Sequence, residues 1–192
     1  MVSRLSSVAA ALYASLALGG AAVAATPQEL QVSNTSVVMD HVIIETSTRY
    51  QLVTTRLNAE LKRFDASYRK LLEEDKLVEL HAKLRQGLEP DGFMIHFVAE
   101  QGGLLALEGG HQQGNVYYLG NVVAAAQMTK LNFGAALYAP LRLSVYENAH
   151  SGTTFEYDKP STQFGQFHNA DIDKVAQSLD EHLLRLIKKV SA

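Results

Sequence analysis

The chain has 192 residues, 47% hydrophobic and 19% charged, with 13 Gly, 4 Pro and no Cys. That make-up excludes collagen-like, low-complexity and disulfide-built architectures, and it suits one domain able to bury its own core. Seventeen Lys+Arg against 20 Asp+Glu leave a formal charge of −3, which argues against a protein that coats duplex nucleic acid. Without cysteine there can be no thiolate nucleophile, zinc–thiolate site, cysteine-ligated iron–sulfur cluster or covalently attached c-type haem.

Residues 1–24 have the layout of a cleaved export signal. Arg4 supplies a positive start, an apolar run follows to Leu18, and Ala22-Val23-Ala24 offers small residues for a peptidase. The run is short of the roughly 20 residues a spanning helix needs. The mature chain is therefore expected to be exported, in a bacterial periplasm, with no integral membrane segment left. Residues 25–40 are polar and irregular, a lead-in to a single domain over residues 41–192.

Val42-Ile43-Ile44 is β-branched and predicts a short strand. Tyr50, Val53, Leu57, Leu61 and Phe64 recur at steps of three and four, one stripe of an amphipathic helix. A second helix is expected over residues 67–86, ended by Gly87 and the turn Pro90-Asp91-Gly92. From Phe93 the period changes. Residues 93–98 and 104–107 read as two strands joined through Gln101-Gly102-Gly103, and 115–119 as a third. Gly120-Asn121 opens a small helix over 122–130. Residues 141–147 and 153–158 alternate cleanly around a short loop. That loop length sets Val145 opposite Phe155, Leu143 opposite Tyr157 and Arg142 opposite Asp158. Pro160 ends the ladder. Ile172, Val175, Ala176, Leu179, Leu183, Leu186, Ile187 and Val190 form a last helical stripe. Asp171 and Asp173 at its start and Lys188 and Lys189 at its end suit the helix dipole. Strands grouped between long helices define an α+β protein.

The run from Asn115 to Leu186 resembles the family known as domain of unknown function 302. The resemblance is carried by Tyr117-Tyr118-Leu119-Gly120-Asn121, Leu137-Tyr138-Ala139-Pro140-Leu141-Arg142-Leu143, Val145-Tyr146-Glu147, Tyr157-Asp158-Lys159-Pro160-Ser161 and Phe164-Gly165-Gln166-Phe167. It implies a curved antiparallel sheet gripping a long C-terminal helix, in the class of the TATA-binding-protein fold but without its DNA function. It implies no reaction. The chain departs from the family pattern at Val122, where proline is usual, and at Gln101, where histidine is usual.

Motifs for chemistry are sparse. The seven histidines show no His-x-x-x-His spacing, and no metal site is expected. No Gly-x-Ser-x-Gly elbow occurs. Gly109-Gly110-His111-Gln112-Gln113-Gly114 lacks the Gly-Lys-Ser/Thr ending of a phosphate loop. No pattern selects a cofactor. The informative group is aromatic and polar together, because tyrosine offers an apolar body with a polar tip, the usual lining of a pocket. Asn121, Tyr138, Arg142, Tyr157, Asp158 and Ser161 are the candidate ligand-binding residues, although Ser161 also reads as a turn or cap. The leading expectation is a non-catalytic exported module binding a small molecule or a protein. A hydrolase or metal-assisted enzyme using a carboxylate with His111 or His168 is one alternative. A homo-oligomer joined through sheet edges or the helix at 67–86 is another.

Overall fold

The computed structural model describes residues 30–192; the expected signal segment lies outside the described residues. Residues 30–35 carry no regular secondary structure, and Ser36–Ala192 form a compact unit. In chain order this unit runs β1 (His41–Thr46), α1 (Tyr50–Glu60), α2 (Ala66–Glu73), α3 (Leu77–Leu88), β2 (Met94–Ala99) and α4 (Gln101–Leu104). There follow β3 (Gly114–Gly120), α5 (Val122–Leu131), β4 (Leu141–Glu147), β5 (Thr153–Asp158), α6 (Pro160–Phe164) and α7 (Ala170–Ser191). Short 3₁₀ turns cover Leu105–Glu108, Phe133–Tyr138 and Gly165–Phe167.

The five strands form one antiparallel sheet in the order β1-β5-β4-β3-β2. Alternation along each strand sends one set of side chains to each face. Tyr117, Leu119, Leu143, Val145, Phe155 and Tyr157 point to the core. There they meet Val53 and Leu57 of α1 and the stripe of α7 from Ile172 to Val190. Each of these large side chains contributes about 1.5–3 kcal/mol by leaving water. Asn169 caps α7 by accepting from the backbone N–H groups of Asp171 and Ile172, at 3.0 and 3.2 Å.

Three sequence expectations are corrected. The stripe from Tyr50 does not continue to Phe64, since α1 stops at Glu60 and the next residues run parallel to β2. Lys62 and Phe64 exchange backbone hydrogen bonds with Ile95 at 2.8 and 2.9 Å. The helix expected over 67–86 is two helices. Asp75 adopts φ 54°, the Lys76 N–H reaches the Leu71 carbonyl at 2.8 Å, and the Asp75 N–H reaches Leu72 at 3.1 Å. This is a Schellman stop with aspartate in the place glycine usually takes, so its signal was weak. Finally, residues 104–107 are helical and no strand forms. Leu104 and Leu107 are 56% and 82% exposed, and an apolar run without a neighbouring ladder has no reason to extend.

Candidate functional site

The expected β4–β5 register holds at Val145↔Phe155, and the hydrogen-bonded ladder runs from Glu147↔Thr153 to Ser144↔Glu156. Beyond that point the two strands part company. β4 stays with β3, pairing Arg142 with Tyr118 and Leu141 with Leu119. β5 stays with β1, pairing Asp158 with His41. Arg142 and Asp158 therefore end on opposite banks of a gap in the sheet.

The gap opens into a cleft of about 370 Å³ lined by Tyr118, Leu137, Tyr138, Leu141, Arg142, Asp158 and Gln163. Its banks are the segments that flank the parted strands. The 3₁₀ turn Phe133–Tyr138 enters β4, and α6 leaves β5 with Pro160 at its first helical position, where a missing N–H costs nothing. Thus Pro160 does end the ladder, and it also starts the helix that brings in Gln163.

Gln163 is 7% exposed. Its backbone is satisfied: the N–H donates to the Lys159 carbonyl at 3.1 Å, and its carbonyl accepts from Gln166 Nε2 at 2.6 Å. Its side-chain amide lines the cleft and hydrogen-bonds to no described residue. Neither amide atom is among the described buried polar atoms left without a partner, so the amide meets the solvent of the cleft and is free to bond water or a ligand there. Tyr138 is held by its O–H, which donates to Gln166 Oε1 at 3.2 Å, and by edge contacts with Phe164 and Phe167.

Charge on the two banks is unequally committed. Arg142 is exposed, and no described carboxylate lies within ion-pair distance of it; the expected Arg142–Asp158 pair does not form. Asp158 Oδ1 instead takes His41 Nδ1 at 3.0 Å, while His41 Nε2 lies 3.6 Å from Glu156 Oε2. The Tyr146 O–H donates to the same Glu156 carboxylate through Oε1. The Asp158 hydrogen bond, reinforced by both carboxylate charges, holds His41 protonated above its usual range near 6.5. The bond to Glu156, with partial burial, pushes the Tyr146 hydroxyl up.

Of the six expected site residues, Tyr138, Arg142 and Asp158 come together here. The other three do not. Tyr157 points to the opposite face and is 8% exposed, as its alternation with Asp158 requires. Ser161 gives its backbone N–H to Asp180 Oδ1 at 2.9 Å, a structural tie to α7. Asn121 caps α5, accepting from the Ala124 N–H at 2.9 Å, and its Nδ2 donates to the Gly92 carbonyl at 3.0 Å. It borders a separate hollow of about 390 Å³ between α3, α5 and α7 that contains His81, Arg85 and His182. His182 lies against Gly92 there, and burial pushes its pKa down.

Sequence reasoning missed Gln163, Tyr118 and Leu137. A glutamine in a five-residue helix leaves no periodic signal. The only hint was its position between the quoted motifs at 157–161 and 164–167. A larger hollow, about 490 Å³, sits at the start of α1 between Arg49 and Arg56. There Arg56 Nη1 already donates to the Val190 carbonyl at 3.0 Å. The histidines of the hydrolase alternative, His111 and His168, are both exposed and are hydrogen-bonded to no described carboxylate through their rings. Among the described residues no group of three His, Asp or Glu side chains has metal-binding geometry.

Residues 70–190 match the family described as Domain of unknown function DUF302. The chain therefore belongs to that family, within the α+β class its sheet and helices define. A crystal structure of an uncharacterized conserved protein DUF302 from Bacillus stearothermophilus is similar, with a TM-score of 0.56 at 16% identity. The match covers 78% of this chain and 97% of that one, and at this identity it speaks for the fold alone. No curated protein matches the sequence.

Proposed function

We propose that this chain is a non-catalytic binding module, exported after loss of residues 1–24, that holds a small molecule in the cleft where β4 and β5 part. The observation that carries the reading is the parting of β4 from β5, which leaves a cleft lined by Arg142, paired with no described carboxylate, and by Gln163, whose amide bonds no described residue. Ligand pockets combine a mostly apolar wall with a few convergent polar groups, in volumes of roughly 300–1,000 Å³. This cleft has a volume in that range, with Leu137 and Leu141 on its wall, though its polar groups take a larger share than is usual. The non-catalytic part is supported by His41, which is hydrogen-bonded to Asp158 of the cleft. Both of its ring nitrogens face carboxylates, so neither is free to take a substrate proton. We also assign the antiparallel sheet packed on α7 to the TATA-binding-protein class of fold, without its DNA function.

Two experiments test the reading. Amide NMR of the isotope-labelled protein against a panel of small polar metabolites should move the Gln163 side-chain NH₂ signals with at least one member. A panel that moves only signals around His182 or Arg56 would assign binding elsewhere. For export, mass spectrometry of the protein from a periplasmic fraction should find a new N-terminus near Ala25; an intact Met1 there would refute the signal.

A further inference from the structure

The cleft's two banks carry opposite charges that do not neutralise each other. Arg142 and Asp158 occupy facing register positions, yet β4 follows β3 while β5 follows β1, and the charges stay apart. We propose, building on the binding reading above, that the ligand is a small zwitterion: an α-ammonium carboxylate with a short apolar side chain. Its carboxylate sits on the Arg142 guanidinium, which has fork geometry matched to two oxygens. Its ammonium sits on Asp158, whose Oδ2 remains open while Oδ1 takes His41 at 3.0 Å.

The remaining groups fit that molecule. The Gln163 amide presents both a donor and an acceptor, so it can bond either end of a zwitterion. Leu137 and Leu141 give an apolar wall, and about 370 Å³ accommodates an amino acid of leucine size. A simple anion would satisfy Arg142 but face the Asp158 carboxylate, and a simple cation would satisfy Asp158 but face Arg142. Only a ligand carrying both charges meets both banks.

The test uses the full chain and three probes of one shape: leucine, isovalerate and isoamylamine, each titrated while the Gln163 side-chain NH₂ signals are followed. Leucine should bind, and each single-charge analogue should bind roughly tenfold or more weakly, because each forfeits a charge-assisted contact. Arg142→Gln should weaken leucine by roughly the same factor. Arg142 is exposed, so this variant will fold. Asp158→Asn is the second arm, accepted only with an unchanged circular dichroism spectrum, since it also loosens His41. Isovalerate or isoamylamine binding as tightly as leucine would overturn the zwitterion and leave the binding reading standing. If neither these probes nor the wider panel moves Gln163, both fall together.

Discussion

Replacing Gln163 by methionine separates a structural role from a binding role. The two side chains have similar length and volume, so packing against Phe164 and the core is kept. What changes is the amide. Although the residue is 7% exposed, its amide atoms are not among the described buried polar atoms without a partner, so water bonds the amide in the cleft much as it does in the unfolded chain. The variant should therefore unfold within about 0.5 kcal/mol of wild type, as substitutions that leave no polar group unsatisfied do. For a domain of this size that is a shift of roughly 1–2 °C or less in melting temperature. Urea denaturation should show an unchanged slope, since the surface exposed on unfolding is the same. The same variant should lose ligand binding, because methionine has no N–H to donate to a ligand. A Gln163→Met protein destabilised by about 1 kcal/mol or more would mean that the amide holds the fold together, and the reasoning from its missing partners would fail.

Two further outcomes follow from the same geometry. Leu183→Ala, at a site 1% exposed in the middle of α7, should cost about 2–5 kcal/mol in urea denaturation, through lost transfer energy and the cavity left behind; a loss under about 1 kcal/mol would contradict the packing of α7 on the sheet. His41 ties β1 to β5 and has a raised folded pKa. Its contribution is therefore complete below the unfolded value near 6.5 and disappears as pH rises through the folded one. The gap in stability between wild type and His41→Ala should accordingly be widest near about pH 5.5 and close in mild alkali; a gap that grows with pH would reverse the sign of this argument.

The parts of the fold visible in sequence are those where burial imposes a period. The α7 stripe, the alternation of β4 and β5, and the Val145↔Phe155 pairing all follow from residues that must choose a face. What stayed hidden depended on single backbone states or on pairing partners. Asp75 in a left-handed conformation splits a helix with no glycine to announce it. Residues 104–107 are apolar, but nothing in their composition says that no strand lies beside them. The site was half legible for the same reason. Arg142 and Asp158 sit at strand ends, where alternation fixes their face, and Tyr138 closes the turn that leads into β4. Tyr157 was misassigned because its neighbour Asp158 takes the cleft side. Asn121 and Ser161 look like binding residues, yet their hydrogen bonds are spent on helix and loop ties. Gln163 depends on where a short helix lands after the strands separate, which is a tertiary outcome.

The split between β4 and β5 is most directly tested by a crystal structure of the protein grown with leucine. The account predicts the amino acid lodged between the Arg142 guanidinium and the Asp158 carboxylate, with the Gln163 amide within hydrogen-bond distance of it. Arg142 closed onto Asp158 in a direct ion pair, with leucine absent or bound beside His182, would contradict it.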